Sequence, residues 1–436
     1  MRTVSEIFEK GCLYGSVENE ITIDIPTEDS ENPVQIKNDE IVADSLRLTG
    51  SICDDSDLKF GGCIASQFEI EITKDIDLTG REISVYLFQR AIIPTYPSTI
   101  TFPTEKNTVY GSDDEHITVY PGYTVCEGYK GQSIQIFSGR IFSCKLAKNR
   151  AMRKIVAYDD FYWKCAADCT DWYRKLYRDA QAETITLGEL RTAITNEIKL
   201  IQADGEATLP ADVLPVYRID GQVTYIDLLR QICEFNGCFG YINGEGRLEY
   251  KTIGENSYTD ANTEDYEFYI DVETEDFVKT GFDGLYIFGF PNGNTANYAL
   301  PVGSGSEKYN LYPIEGNSVV TTGYSVYGGN ALFDDVYYEP KPGITPHGLG
   351  LRTSLADNFT IAYYTPMTLK SEYRSWVEIG DRIKVNIHWV DLNGREHWSR
   401  LSSIVLSRTI SGIQAMTDEI TANGANIKYT EGDLEE

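Results

Sequence analysis

The sequence predicts a mainly β protein with a smaller α+β part, and three observations support this fold class. Of its 436 residues 42% are apolar and 12% aromatic, with 30 Tyr against 4 Met, which favours sheets over helical bundles. Short runs that alternate apolar and polar residues recur in the first and last thirds. Apolar residues recur at helical spacing only in the middle third. Because the chain exceeds one ordinary core, we expect two or three domains.

Residues 1–150 are predicted to form an N-terminal β domain. In the clearest strand, Phe68, Ile70 and Ile72 alternate with polar residues, which indicates one buried and one wet face. Prolines between the runs break any helical pattern, so a barrel or sandwich of short strands is expected. The predicted strands are Val34–Leu48, Phe68–Ile72, Ile83–Phe88 and Ile134–Phe142.

Residues 151–258 are predicted to form a small α+β module. Helical spacing runs from Asp159 to Tyr177. A capping box of Thr186 and Glu189 opens a second helix. A third is predicted from Thr224 to Phe235 with Gly237 as its stop, followed by a hairpin that turns at Asn243-Gly.

Residues 259–436 are predicted to form a second β domain with a Gly- and Tyr-rich insertion at 281–345. A strand is expected around Tyr266–Val272. Alternating residues from Trp376 to Trp389 contain a Gly380-Asp381 turn, and a further strand passes through 404–410.

The net charge of −29 argues against simple binding to a nucleic-acid backbone. Three interpretations stay open: a soluble surface, an acidic wall along which DNA slides without sticking, and a face for a basic partner. Since no run approaches the roughly 20 apolar residues of a membrane helix and no signal-peptide core appears near the N-terminus, we expect neither insertion nor secretion.

No motif predicts a catalytic, cofactor-binding or metal site. The nine cysteines lack zinc-ligand spacing and are expected to be reduced and buried, without disulfides. Walker, dinucleotide and nucleophile-elbow motifs are missing, and the histidines have no partner motif. The histidines are His116, His347, His388 and His397.

Two groups of residues leave alternatives open. Paired carboxylates could in principle serve a glycosidase, but 67 acidic residues produce such pairs by chance. These pairs are Asp54/Asp55, Asp113/Asp114, Asp159/Asp160 and Asp334/Asp335. The aromatic residues of 324–338 suit sugar stacking, a subunit interface or a plain sheet core. They are Tyr324, Tyr327, Phe333, Tyr337 and Tyr338.

Several segments together resemble the baseplate hub and tail-tip proteins of tailed phages and of phage-derived particles in Gram-positive bacteria. The resemblance covers most of 40–424, apart from 281–345. Its segments are LKFGGCIASQFEIEI at 58–72, IVAYDD at 155–160 with Trp172-Tyr173, TYIDLLRQICEFNGCFGYINGEGRLEY at 224–250, Gly380-Asp381, and SRTISGIQAM at 407–416.

The resemblance implies two tail-tube-like β-barrel domains with an inserted α+β module. It implies a homotrimer that joins tail tube to tail tip and contacts tube, tape-measure and other baseplate proteins. DNA would pass through without specific binding, and the protein would reside in the virion tail after assembly in the host cytoplasm. Many such hubs extend into a cell-wall peptidase or lysozyme; this sequence ends at Glu436 without one, so we expect no enzymatic activity.

Two further functions remain open at this point. A glycan- or receptor-binding baseplate protein would use the Gly- and Tyr-rich insertion at 281–345. A glycoside hydrolase or lyase would need two essential carboxylates.

Overall fold

A computed structural model gives the fold. It describes residues 16–26, 34–53, 61–92, 132–147, 152–181, 184–203, 208–209, 212–213, 215–218, 221–236, 238–252, 263–266, 269–274, 279–280, 286–287, 297–299, 312–314, 326–327, 363–364, 367–390 and 394–422.

The described elements are mostly strands. Three α-helices lie in the middle third: α1 Thr170–Ala180, α2 Leu187–Glu197 and α3 Tyr225–Phe235. The strands are β1 Ser16–Ile25, β2 Val34–Ile36, β3 Arg47–Ser51, β4 Gln67–Ile72, β5 Glu82–Ile92, β6 Gln132–Leu146, β7 Arg153–Tyr158, β8 Thr184–Thr186, β9 Pro215–Tyr217, β10 Cys238–Ile242, β11 Leu248–Thr252, β12 Thr263–Tyr266, β13 Asp271–Thr274, β14 Lys279–Thr280, β15 Tyr286–Ile287, β16 Asn297–Ala299, β17 Tyr312–Ile314, β18 Val326–Tyr327, β19 Tyr363–Tyr364, β20 Met367–Glu372, β21 Arg382–Val390, β22 Glu396–Ser411 and β23 Thr417–Ala422.

One large sheet joins the first and last thirds of the chain. Its 13 strands follow the order β13-β20-β23-β22-β3-β4-β7-β6-β5-β1-β2, with β21 beside β22 and β12 beside β21. The link between the thirds is the antiparallel pair β3–β22, which runs from Arg47↔Ser411 to Ser51↔Ser407. The mainly β class is therefore confirmed. Among the strands described, no closed barrel forms, and the two barrels stay a prediction.

The predicted alternation of β4 is confirmed, and the predicted strand 34–48 is interrupted. Phe68, Ile70 and Ile72 are buried, while Glu69 on the other face pairs with a lysine of β7. Between β2 and β3 the chain forms a 3-10 turn at Asn38–Glu40 and takes a positive φ of 57° at Asp44. These local turns end β2 early, so one predicted strand is two short ones.

Two regions predicted as single elements are also divided. The helical segment 159–177 consists of a π-helical turn at Phe161–Cys165 and then α1. The strand expected around 266–272 is divided between β12, which pairs with β21, and β13, which pairs with β20.

The caps of α2 and α3 explain where both helices begin. The Thr186 hydroxyl accepts from the backbone N–H of Glu189, whose carboxylate accepts from the backbone N–H of Thr186 at 2.7 Å. This confirms the predicted capping box. Thr224 and Asp227 form the same reciprocal pair at the start of α3. The predicted stop, Gly237, lies outside the described residues.

The α+β module shares its core with both β parts of the chain. Leu228 and Leu229 of α3 pack with the β10–β11 hairpin. The predicted hairpin is confirmed: its turn begins at Asn243, directly after the pair Ile242↔Leu248. The same apolar cluster includes Ile52 from the N-terminal third and Leu406 from the C-terminal third. Strand β7, within the module's predicted range, pairs with β4 and β6 of the large sheet. Burial thus ties the three parts together.

Candidate functional site

The most unusual feature of the described interior is a group of buried charged side chains where the α+β module meets the C-terminal strands. We call this group the buried junction. It centres on the segment 373–381, which carries the predicted Gly380-Asp381 turn. Its charged members are Lys251, Glu264, Arg374, Glu378, Asp381, Arg408 and Asp418.

The local sequence builds the turn itself. Asp381 accepts from the backbone N–H of Glu378 at 2.7 Å, and its own N–H donates to the Glu378 carbonyl at 3.1 Å. Gly380 has a φ of +81°, a conformation that residues with a Cβ rarely adopt. Its N–H donates to the Val405 carbonyl at 2.8 Å, which fixes the turn on β22. The turn therefore presents two carboxylates at one defined place.

Lys251 of β11 lies between these carboxylates. Its Nζ is 3.3 Å from Glu378 Oε2 and 3.1 Å from Asp381 Oδ1. The Tyr241 hydroxyl donates to Glu378 Oε1 at 2.8 Å, and Lys251 Nζ lies 5.0 Å from the centre of the Tyr241 ring. Burial pulls the pKa of Lys251 down, but the two carboxylates outweigh burial and raise that pKa above its ordinary value. The module's hairpin is thereby held to the C-terminal strands by charge.

A second buried pair connects the same segment to β12. Arg374 Nη1 pairs with Glu264 and donates to the Asp265 carbonyl at 2.8 Å. Trp376 Nε1 donates to the other Glu264 oxygen at 2.9 Å. The Arg374 guanidinium lies 3.8 Å from the centre of the Tyr266 ring, a cation–π contact. Glu264 therefore has partners for both of its oxygens.

The third pair joins β22 to β23. Arg408 Nε donates to both oxygens of Asp418, at 2.9 and 2.8 Å, and Nη2 donates to the Arg374 carbonyl at 2.7 Å. Burial would lower the pKa of Arg408, but the adjacent Asp418 carboxylate outweighs burial and raises it. Because one partner would be left charged and buried, removing the other costs about 3–5 kcal/mol. The junction thus fixes one arrangement of its elements.

Beside the junction lies a small cavity of about 60 Å³ that Asp159 borders. Asp159 accepts from the backbone N–H of Ser66 at 2.7 Å and of Phe161 at 3.0 Å. Burial raises the pKa of Asp159 to about 7, although both hydrogen bonds act in the opposite direction. The cavity is far below the roughly 300–1,000 Å³ of small-molecule pockets. It suits a few water molecules, and the surrounding groups act as structural contacts.

Of the predicted candidate residues that the structure describes, Asp159 alone borders this cavity. Asp160, the partner of Asp159 in sequence, pairs with Lys164 at 2.7 Å. The other three carboxylate pairs, His116 and His347 lie outside the described residues, as do the aromatic residues of 324–338 except Tyr327, whose backbone belongs to β18. His388 lies in β21 opposite Trp398, and His397 lies in β22 opposite Trp389.

The described cysteines are buried, and none of them forms a disulfide within the described part of the chain. Cys63 and Cys233 approach to 3.8 Å between their Sγ atoms. Within the part of the chain that the structure describes, no three His, Cys, Asp or Glu side chains are grouped to hold a metal ion. No helix in that part is long and apolar enough to cross a membrane.

The buried junction is not predictable from the sequence, because charged residues on alternating strands are usually solvated. The sequence does predict the Gly380-Asp381 turn, and Arg408 lies in the segment 407–416, but neither observation indicates buried charge. Opposite charges on separate segments do not reveal from sequence which of them meet.

Comparison with known proteins finds similar solved structures. No family model and no curated protein matches the sequence. A tail protein from Neisseria meningitidis MC58 is similar in structure, with 9% identity, coverage of 94% of this chain and 98% of that one, and a TM-score of 0.47. The 43 kDa tail protein of prophage MuSo2 from Shewanella oneidensis has 10% identity, coverage of 92% and 98%, and a TM-score of 0.45.

A component of the E. coli type VI secretion system is also similar, with 8% identity, coverage of 94% of this chain and 79% of that one, and a TM-score of 0.38. The structural neighbours are thus tail and secretion-system proteins.

Proposed function

We propose that the chain is a non-enzymatic structural component of a phage tail or phage-like injection particle. In this role it is a baseplate hub that connects tail tube to tail tip and lines the central conduit. The proposal includes the division into 1–150, 151–258 and 259–436, two tail-tube-like barrels, and a homotrimer. Its partners are tube, tape-measure and other baseplate proteins, and DNA passes without specific binding. The protein resides in the virion tail after assembly in the host cytoplasm.

The observation that carries the proposal is the single large sheet, in which the pair β3–β22 joins the first and last thirds of the chain. The buried junction stabilises this arrangement. A hub that transmits force between tube and tip needs parts that do not move against each other. Here strands from both ends of the chain share one hydrogen-bond ladder. Lys251 of the α+β module pairs with the buried Glu378 and Asp381 of the C-terminal part, and two further buried pairs, Arg374–Glu264 and Arg408–Asp418, fix the strands around that contact. The ordered resemblance of segments 58–72 through 407–416 supports the same assignment.

Charge supports the conduit. At pH 7 the chain carries −29, so a wall built from its acidic faces repels the phosphate backbone of passing DNA. Repulsion favours sliding over adhesion, as a channel requires.

Deletion of the gene from a particle-producing strain tests the proposal. We expect tail tubes without a tip, or no tails, in negative-stain electron micrographs, and normal particles after complementation with the wild-type gene. Immunogold labelling of complemented particles should mark the tail end. Intact, tipped tails from the deletion strain would refute the hub assignment.

A further inference from the structure

A cluster of aromatic rings is exposed at the end of the large sheet where β7 leads into the π-helical turn. Phe142 and Tyr162 are 47% and 40% exposed. Tyr158 stacks on Tyr162 with ring centres 4.6 Å apart, and Phe142 meets both rings edge-on at 5.7 and 5.8 Å. Trp163 lies 5.2 Å from Tyr162 and donates from Nε1 to the Arg140 carbonyl at 3.0 Å. We call these four rings the aromatic patch.

A β-bulge accounts for the exposure of Phe142. The register between β6 and β7 shifts between Ile141, which pairs with Ala157, and Ser143, which pairs with Val156, so Phe142 has no partner opposite. Bulges redirect a side chain and recur at sheet positions with a function. Ile141 and Cys144 remain in the core. The extra residue therefore delivers a large apolar ring to the surface without disturbing the inner face.

The segment 138–164, which contains all four rings of the aromatic patch, is basic, whereas the chain as a whole is strongly acidic. Residues 138–164 contain seven Lys or Arg and two Asp, a net charge of +5. The rest of the chain has 31 Lys or Arg and 65 Asp or Glu, a net charge of −34. Several of these cations have internal partners, such as Lys154 with Glu69 at 2.5 Å. Lys145 follows Phe142 by three residues, and Arg81 accepts through its carbonyl from the Ile141 N–H at 2.9 Å. Both side chains are exposed and form no ion pair within the described part of the chain, and we call these two cations the basic rim.

The packing of the rings decides which class of ligand fits. A sugar stacks on an open ring face, whereas here Tyr158 and Tyr162 cover each other and Phe142 meets both edge-on. Tyr, Trp and Arg are the residues enriched in protein–protein hot spots. Here Tyr162 is exposed, and the exposed Arg140 lies over the Trp163 ring, 5.6 Å from its centre. A nucleic-acid base, like a sugar, would need an open ring face on which to stack, and the mutual packing of these rings does not favour that. An acidic protein surface fits both the rings and the rim.

We propose that the aromatic patch docks an acidic surface of a second copy of this chain. A second copy supplies that surface at matching concentration wherever the protein assembles, and its charge outside 138–164 complements the basic rim. The contact is between different surfaces of the two copies, so it can close into a ring. This inference rests on the proposed hub function and names a surface through which copies associate.

Sedimentation of the full chain over a range of concentrations, at low and at high salt, tests the proposal. We expect wild type to self-associate as its concentration rises. The double variant Phe142→Ser/Tyr162→Ser should associate at least about tenfold more weakly, as expected for hot-spot residues. Lys145→Glu should also weaken association relative to wild type, and most of all at low salt, where the lost attraction is least screened.

Two matched controls separate the patch from general surface effects. Val213→Ser removes an apolar side chain that is 76% exposed in the α+β module. Lys175→Glu reverses an exposed charge on α1. Both should associate like wild type. Circular dichroism verifies that every variant is folded. If the double variant unfolds, the single variants decide: Tyr162→Phe, which retains the ring, must associate like wild type, and Lys145→Glu must associate more weakly.

A wild-type chain that stays monomeric at all concentrations, or a folded double variant that associates as wild type does, overturns the proposal. Binding of duplex DNA that Lys145→Glu abolishes, without self-association, also overturns it in favour of nucleic acid. The deletion strain keeps the two proposals separate. If the wild-type gene restores tails in this strain and the gene of the double variant restores them equally well, the proposed docking surface is refuted and the hub function is not.

Discussion

Replacing Lys251 by Met removes the cation that neutralises two buried carboxylates while keeping a side chain of similar length. The side chains of Glu378 and Asp381 are 9% and 5% exposed. If Lys251 is removed, water cannot freely take its place beside these carboxylates. Breaking a buried ion pair on one side costs about 3–5 kcal/mol. Glu378 keeps its bond from Tyr241 and Asp381 keeps its bond from the Glu378 N–H. We therefore expect the lower end of that range, about 3 kcal/mol.

Urea unfolding followed by tryptophan fluorescence measures this loss, since Trp376 is buried in the junction. Lys175→Met is the matched control, because Lys175 is 63% exposed and its loss should cost no more than about 0.5 kcal/mol. The triple variant Lys251→Met/Glu378→Gln/Asp381→Asn removes the charges together and should recover part of the stability. A Lys251→Met protein within about 1 kcal/mol of wild type would refute the idea that charge neutralisation holds the module in place.

Three further predictions concern other parts of the fold. Because burial raises the pKa of Asp159 from its usual value near 4 to about 7, its ionisation should destabilise the wild type progressively as pH rises between those values; Asp159→Asn should lose this pH dependence in urea midpoints, and an unchanged slope would contradict the assignment. Thr186→Ala should lower the free energy of unfolding by about 1 kcal/mol through loss of the α2 cap, with Glu189→Gln milder, and no change by thermal melting would speak against the capping box. A Cβ at position 62 would lie 1.6 Å from the Ile52 carbonyl oxygen, so Gly62→Ala should cost about 3 kcal/mol or more; normal yield and melting temperature would show that this approach is not as close as described.

The sequence predicted the elements whose signals are local. The alternation at Phe68–Ile72 requires only that one face be buried, and the capping box at Thr186 and Glu189 spans three residues. Periodicity failed for 159–177 because side chains interrupt the helix. Asp159 and Asp168 each accept from the backbone N–H two residues ahead, so that two separate helical segments begin, the π-helical turn at Phe161 and α1 at Thr170.

The candidate site was beyond prediction because its members meet only in three dimensions. Lys251 and Glu378 are 127 residues apart, and their opposite charges do not single them out among 105 charged residues. The predicted strand Ile134–Phe142 ends at the β-bulge, whereas β6 continues through the bulge to Leu146. The resemblance to hub and tail-tip proteins carries no information on which charges are buried.

The pairing of β3 with β22 also determines when β3 can complete its folding during translation. The two strands are about 360 residues apart, so β3 waits for its neighbour until nearly the whole chain has left the ribosome. At about 5–20 residues per second that wait lasts roughly 20 to 70 s. During it the β3 edge stays open to other nascent chains, and chaperones would be needed at this stage more than at any other. Slower translation of the last third should therefore raise the aggregated fraction before it affects the finished protein.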